Sequence, residues 1–458
     1  MQLSLPWILS RKRLIGAVIA DGILFALLYY VLYKWCFGIW PAVSPRLAFL
    51  LTLWSLASYV IGRYFSGDKR GFEIEAWDFV GKQLIGTGTA LLLTLGITLL
   101  HIWLFNKNPV QASFHSFLIP FLLLLAVLSI FLQLTIRRLS AIRDQDSIST
   151  WAYVGSDSGF QRLQELLRWS RVRIRFEHVQ PENLSKTFFV KYVVDRFHGQ
   201  HPGLLKSLSQ YQLRGSVVYN RLAWCEAVLQ RFPSDFLSEA DLLAGGFSVA
   251  ESTFQVRLKR VGDVVVAMTL LLITSPLILL SALLIKFSDR GPIFYSQVRT
   301  GLDGSPFKIW KLRTMRIDAE YQGAQWSSRS DPRITKVGAL LRITRVDELP
   351  QLWCVLAGSM SLIGPRPERP EFDQQLSRKI PFYELRHHIR PGLSGWAQVN
   401  YPYGASIEDS ANKLSYDLYY IKHFSFLLDL LILFKTIRLV FNAQGALPEH
   451  SAASNPSS

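Results

Sequence analysis

The sequence is poor in cysteine. Its 458 residues include three, Cys36, Cys225 and Cys354. They lie far apart and form no CxxC pair, which argues against a zinc site and a disulfide framework; each reads as a packing residue. No RNA- or DNA-binding module signature is present either. The net charge of +16, from 50 Lys+Arg against 34 Asp+Glu, therefore points to an anionic membrane face or a phosphorylated substrate, with no nucleic-acid partner. A cleavable signal peptide is not expected: the apolar run after Arg11-Lys12-Arg13 is too long and lacks a small-residue cleavage site.

Charge is scarce in the first 140 residues, which read as membrane. Four apolar segments, near 14–33, 46–65, 80–105 and 114–136, each have about the 17–25 residues that a spanning helix needs. Arg11, Lys12 and Arg13 precede the first; Arg63, Lys69 and Arg70 lie between the second and third; Arg137, Arg138 and Arg143 follow the fourth. The other two loops carry only Lys34 with Arg46, and Lys107. The positive-inside rule places both ends of this bundle in the cytoplasm. Few charges interrupt the segments; His101 and His115 near their outer ends read as interfacial.

Residues 150–245 alternate strand-like and helix-like runs, giving a small Rossmann-like α/β module. Strands are expected at 150–155, 172–179, 187–194 and 215–219, a helix at 161–169 and a linker at 233–246. Gly155-Ser-Asp-Ser-Gly159 is an incomplete dinucleotide pattern, read as scaffold. A second membrane element is expected at 261–286, where Ser275-Pro276 interrupts an apolar run and basic residues flank both ends. These features predict a re-entrant helix–break–helix with Ser275 and Pro276 at its turn. The aromatic, basic run 416–441 predicts a helix lying in the interface, and 446–458 a disordered tail.

The chemistry concentrates between these elements. Asp347 and Glu348 are adjacent carboxylates on an arginine-rich background, with Arg342 and Arg345 before them and Arg366 after, in a Gly-Pro-Arg-Pro turn. Carboxylates for attack or metal binding, with guanidinium groups to hold oxyanions, suit phosphate chemistry. Tight turns are expected over 291–304, with Arg299 between them, followed by a strand carrying Lys311 and Arg313 on one face. Asp331-Pro-Arg333 comes next. The bland alternatives are a helix salt bridge from Asp347 to Arg342 or Arg345, worth a few tenths of a kcal/mol, and a solvated surface charge for Arg345. His387 and His388, beside Arg386 and Arg390, read as a basic interfacial face. Asp144-Gln-Asp146 resembles the metal motif of sugar-nucleotide glycosyltransferases, a pattern common by chance after a membrane helix.

Taken in order, Lys259-Arg260…Asp263, Ser275-Pro276, Gly291-Pro292, Gln297-Val-Arg-Thr-Gly301, Lys311-Leu-Arg-Thr-Met315, Asp331-Pro-Arg333, Asp347-Glu-Leu-Pro-Gln351, Met360-Ser-Leu-Ile-Gly-Pro-Arg-Pro367 and Arg390-Pro-Gly-Leu-Ser-Gly-Trp-Ala-Gln-Val399 resemble the bacterial sugar-transferase family. That family comprises monotopic phosphoglycosyl transferases acting on polyprenol phosphate; the overall layout resembles its large glucose or galactose phosphotransferase members. Cys354 departs from the pattern, where asparagine is expected. The resemblance implies a transmembrane domain (1–145), the α/β module (150–245) and a mainly helical catalytic domain (257–445) at the cytoplasmic face of the bacterial inner membrane. It implies transfer of sugar 1-phosphate from a UDP-sugar to undecaprenyl phosphate, releasing UMP and initiating exopolysaccharide, capsule or O-antigen synthesis. Asp347 would be the nucleophile of an aspartyl-phosphosugar intermediate and Glu348 the Mg²⁺ ligand. Arg299, Lys311, Arg313, Arg333, Arg342 and Arg366 would bind substrate. The α/β module and the bundle offer surfaces for a two-fold homodimer. The rival functions are an inverting glycosyltransferase using Asp144 and Asp146, and a non-enzymatic membrane scaffold.

Overall fold

The computed structural model describes residues 12–41, 112–145, 149–168, 174–180, 188–195, 202–244, 253–319, 331–402 and 406–441, with a few isolated positions between them. The chain divides into two compact units, 1–151 with 173–177, and 152–172 with 178–458.

The first unit contains helices α1 (Lys12–Phe37) and α2 (Ala112–Gln145). They contain the first and fourth expected spans; the second and third lie outside the described residues. Val18–Phe37 of α1 is long and apolar enough to cross a membrane, while the apolar stretch of α2 is Pro120–Ile136. Phe25 meets Phe121 edge-on with ring centroids 5.1 Å apart, inside a cluster with Phe117, Leu122 and Leu125. The sequence reading missed one buried polar contact here: Ser129 Oγ donates to Asp21 Oδ1 at 3.0 Å. A carboxylate this apolar surface cannot hydrate is satisfied by a hydroxyl on the facing helix.

Next in the chain come β1 (Ser149–Val154), α3 (Asp157–Arg168), β2 (Ile174–His178), β3 (Lys191–Val194), α4 (Pro202–Leu213) and β4 (Val217–Asn220). Strand β3 pairs in parallel with β1 (Val154 opposite Val194) and with β4 (Lys191 opposite Val217). Ala152, Val154, Tyr192 and Val194 are fully buried with Leu204 and Leu208 of α4, as parallel strands covered by helices require. A Cβ at Gly159 would lie 2.2 Å from the Tyr153 hydroxyl, and one at Gly155 2.6 Å from Asp195 Cβ. Those glycines therefore serve close packing against the chain's own groups, in keeping with scaffold. The expected linker at 233–246 is instead packed over its first half: Phe236 and Leu237 are buried, and Phe232 N donates to Ser415 O at 2.7 Å. Phe236 and Leu237 provide the apolar area that a linker lacks.

Helix α5 (Thr253–Asp289) runs unbroken through Ser275-Pro276, so the expected helix–break–helix is one helix carrying a proline. Pro276 has no N–H to offer Leu272 O; the Ser275 hydroxyl donates to that carbonyl instead, at 2.9 Å. Gln255–Ser288 is the second stretch long and apolar enough to cross a membrane. Leu272, Ile273, Leu279 and Phe287 are exposed along it. At about 1.5 Å per residue the helix is longer than a ~30 Å hydrocarbon core. Its first turns are polar and buried: Lys259 Nζ lies 2.7 Å from Asp429 Oδ2, and Asp263 accepts from Ser361 Oγ at 2.7 Å.

The expected turns at 291–304 enclose a strand, β5 (Phe294–Thr300), antiparallel to β6 (Pro306–Leu312) with Tyr295 opposite Lys311. Glycine and proline mark only its ends, and Asp303 and Gly304 make the positive-φ turn between the strands. There follow α6 (Lys336–Ile343), a 3₁₀ turn at Val346–Gln351, α7 (Leu352–Ala357), β7 (Ser361–Ile363), α8 (Pro370–Lys379) and β8 (Gly392–Ser394), parallel to β7. The C-terminal run is two helices rather than one interfacial helix, α9 (Ile407–Lys422) and α10 (Phe426–Phe441). Leu414, Tyr416, Leu418, Tyr419, Tyr420 and Ile421 are buried, so the aromatic stretch is core.

Candidate active site

Local sequence fixes where the two acids point. Thr335 caps α6 by accepting from Gly338 N, and the helix ends at Thr344. Arg345 then takes a left-handed backbone, φ 59°, which turns the chain. Pro350 lacks a donor, and the chain continues as a 3₁₀ turn, with Glu348 N donating to Arg345 O at 3.2 Å. Helix α7 resumes behind it and ends at Gly358, φ 89°. Its last carbonyls are taken by Arg260 of α5, which reaches Val355 O at 2.6 Å and Leu356 O at 2.8 Å. Strand β6 brings Lys311 from one side, and the Gly364-Pro-Arg-Pro turn after β7 brings Arg366 from another.

These elements assemble an asymmetric pair. Glu348 is saturated: Lys311 Nζ and Arg366 donate to its Oε1 at 3.0 and 2.8 Å, and Arg345 stands 3.6 Å from its Oε2. Burial opposes its ionisation, but Arg366, Lys311 and Arg345 outweigh burial and hold the carboxyl well below the usual glutamate range. Asp347 is different. It is 7 % exposed, and its Oδ1 is buried with no hydrogen-bond partner. Burial, then the neighbouring Glu348 charge, push its carboxyl up to about 6, against the pull of Lys311, Arg342 and Arg345. Burial also draws the Lys311 ammonium below its ordinary value, against the attraction of Glu348. The result is one carboxylate neutralised by cations and one held in reserve with a bare oxygen. That arrangement suits a nucleophile approaching an anionic phosphorus.

The other predicted residues separate. Arg342 holds the Thr314 hydroxyl through Nε at 2.9 Å and acts on Asp347 through its charge. Arg299 contacts Gln297 Oε1 at 2.5 Å and Pro367 O at 3.2 Å, bracing the Arg366 turn. Arg313 and Arg333, expected to bind substrate, are held here by the chain's own groups. Arg313 donates to Pro292 O at 2.6 Å and Met315 O at 3.3 Å, tying the Gly291-Pro292 turn to the end of β6. Arg333 forms a two-point pair with Asp331, at 2.8 and 2.6 Å, and reaches Ala319 O at 3.1 Å. Ser275 and Pro276 stay structural, inside α5. Cys354 is buried on α7, its Sγ 3.5 Å from Lys308 O. Asp144 falls in the last turn of α2, and Asp146 lies outside the described residues.

Sequence reasoning passed over several groups. Arg345, read as a surface charge, belongs to the cation ring of Glu348; its left-handed backbone was the hidden signal. Arg386 is buried and donates to Asp417 Oδ2 at 3.0 Å, Tyr383 Oη at 2.5 Å and Arg366 O at 2.9 Å. His387 is half-buried, 3.2 Å from Asp373 Oδ1, rather than fully exposed on an interfacial face. Only His388 is exposed as that reading requires.

A family profile described as bacterial sugar transferase matches residues 254–443, the segment that carries this pair. A UDP-glucose:undecaprenyl-phosphate glucose-1-phosphate transferase of Caulobacter vibrioides is 42 % identical over 190 residues, 41 % of this chain and 71 % of that protein. The chain belongs to the bacterial sugar transferase family. Within the family it is also similar to the UDP-N-acetylgalactosamine-undecaprenyl-phosphate N-acetylgalactosaminephosphotransferase of Aeromonas hydrophila, 44 % identical over 229 residues, 50 % of this chain and 53 % of that one. A UDP-glucose:undecaprenyl-phosphate glucose-1-phosphate transferase of Escherichia coli K12 is 41 % identical over 182 residues, 39 % of each chain. The match thus spans about half or less of these last two relatives.

Proposed function

We propose that the chain transfers sugar 1-phosphate from a UDP-sugar to undecaprenyl phosphate, through a covalent intermediate on Asp347. The observation that carries this reading is the buried, unpartnered Oδ1 of Asp347 beside a Glu348 already neutralised by cations. In the first half-reaction Asp347 Oδ1 attacks the β-phosphorus. A carboxylate–phosphorus bond forms, the bond to the bridging oxygen breaks, and UMP leaves with its electron pair. Lys311, Arg342, Arg345 and Arg366 surround the oxyanions. In the second, an oxygen of the lipid phosphate attacks the same phosphorus and Asp347 is released. With its carboxyl titrating at about 6, Asp347 is about ten to one ionised at pH 7, yet burial keeps it less hydrated than a surface carboxylate.

Magnesium fits this site in one form. Among the described residues no cluster of three or more metal-ligating side chains exists. Two adjacent carboxylates and one bare oxygen match an ion that takes one or two protein ligands and completes its shell with substrate phosphates and water. Glu348 would hold it, with Lys311 and Arg366 turning to the phosphates; when bound, the ion would supply charge neutralisation at the diphosphate.

We place the catalytic domain (257–445) on the cytoplasmic face of the inner membrane, with α5 as its membrane anchor; the transmembrane domain (1–145) and the Rossmann-like module (150–245) belong to the same reading. A homodimer through those two regions fits this layout. The product would begin an exopolysaccharide, capsule or O-antigen chain. A panel of UDP-sugars assayed for UMP with undecaprenyl phosphate present tests the reading; release of UDP instead would favour an inverting glycosyltransferase, and no turnover a scaffold.

A further inference from the structure

The Arg366 turn is also supported from the head of α5. Strand β7 pairs with β8 alone among the described strands. Its other edge meets α5, where Asp263 takes the place of a neighbouring strand: Oδ1 accepts from Leu362 N at 3.2 Å and Oδ2 from Ser361 Oγ at 2.7 Å. Asp263 is 7 % exposed, and a carboxylate so far from water is costly unless charge and hydrogen bonds answer it. Its charge partner is shared. Lys259 Nζ, one turn earlier on α5, stands 4.0 Å from Asp263 Oδ1 and 2.7 Å from Asp429 Oδ2 of α10. Tyr420 of α9 donates to Asp429 Oδ1 at 2.7 Å and reaches Ile363 O, the last carbonyl of β7, at 3.2 Å. Attaching α5 to the domain does not require buried acids, since apolar residues of similar volume pack as well or better. Hydrogen bonds to a strand edge instead fix where that strand lies. Strand β7 runs straight into Gly364-Pro365-Arg366, and this turn has no slack. Gly364 N donates to Ser394 O and Gly392 N to Pro365 O, both at 2.8 Å, and a Cβ at Gly364 would lie 2.4 Å from Arg390 O. A shift of β7 is therefore carried to Arg366, whose guanidinium meets Glu348 at 2.8 Å.

We propose that Asp263 is a positioning residue for the transfer reaction: by holding the outer edge of β7 it sets Arg366 in the cation ring beside Asp347. The proposal rests on the UDP-sugar reading above, in which Arg366 faces phosphoryl oxygens. Asp263 bonds to Ser361 and Leu362 and pairs with Lys259, none of them in the acid pair, so its effect on the reaction passes through β7. Arg366 acts on charge that develops at the phosphorus, and a loosened Arg366 therefore lowers kcat more than it weakens donor binding.

The test is a double-mutant cycle in the full-length protein, reading UMP release from UDP-glucose and from UDP-N-acetylgalactosamine with undecaprenyl phosphate present. Asp263→Ala should lower kcat about ten- to a hundredfold, as for lost hydrogen bonds to a charged group, with donor KM within about threefold. Asp263→Asn keeps an acceptor for Leu362 N and a donor for Ser361 Oγ, and should bring kcat back to within about threefold of the unaltered protein. In an Arg366→Ala background, followed over longer incubations, Asp263→Ala should cost less than about twofold, because the group it positions is gone. A thermal melt shows whether each variant is folded at the assay temperature. If Asp263→Ala is not, Ser361→Ala, which removes one hydroxyl, takes its place in the cycle, with an expected loss of about three- to tenfold. An unchanged kcat, an equal cost in both backgrounds, or a loss confined to KM overturns the positioning role while leaving the donor reading intact. Failure of the unaltered protein to release UMP from any UDP-sugar overturns the donor reading itself, and the positioning role with it.

Discussion

Two acid–cation clusters sit on either side of Arg366, and they are built to opposite ends. On one side its guanidinium meets Glu348, in a cluster that leaves Asp347 Oδ1 bare. On the other its main-chain carbonyl is held by Arg386, whose guanidinium also takes Asp417 and Tyr383. Burial pushes Asp347 and Asp417 alike up to about 6. The difference lies in partners: Asp417 has a direct, buried two-charge contact, Asp347 only charges around it. A buried group left incomplete costs stability and is kept where chemistry uses it. The second cluster fixes the turn; the first works from it.

The comparison breaks most sharply at Asp347. Asp347→Asn should abolish turnover, by at least ~10³-fold, and should make the protein more stable. Its folded carboxyl titrates near 6 against 3.8 for the free group. Its favourable contribution is therefore present below pH 3.8 and lost as pH rises through 6. Removing the charge recovers up to about 3 kcal/mol at pH 7.5, seen as a higher melting midpoint whose gain shrinks toward pH 4. Arg386→Leu should act in the reverse way. It strands Asp417, costing about 3–5 kcal/mol, and lowers the midpoint; rates fall because the Arg366 turn loosens. A midpoint unchanged in Arg386→Leu would show that the second cluster supports nothing.

Two smaller effects sharpen the contrast. The rate of adduct formation in the unaltered protein should fall about tenfold per pH unit below pH 6, as Asp347 takes up its proton. A flat profile from pH 7 to 5 would mean that Asp347 titrates elsewhere. Arg345→Ala should cost least: the side chain is a third exposed and 3.6 Å from Glu348, so its pairing is worth under about 1 kcal/mol, and a severalfold slower reaction is expected by steady-state kinetics.

Much of the first cluster was legible in the sequence, because its members recur within short, turn-framed motifs: Asp347, Glu348, Lys311, Arg342 and Arg366. Arg313 and Arg333 sat in equally suggestive motifs, yet carbonyls and Asp331 claim them; a motif gives residue type without direction. Arg345 was lost for a related reason, since only its left-handed backbone turns it toward Glu348. Almost none of the second cluster was legible. Arg386 and Asp417 are 31 positions apart and join only when α9 becomes core, whereas its aromatic, charged sequence reads equally as a membrane-surface helix. In α5, apolar length was readable, but Ser275 replacing the donor that Pro276 lacks required atoms.

The most direct test omits the lipid. Purified protein incubated with UDP-sugar alone should release UMP and gain, by intact mass, one sugar-phosphate group mapping to Asp347; undecaprenyl phosphate should then remove it. UMP formed only when lipid is present, with no adduct at any time, would contradict a covalent role for Asp347.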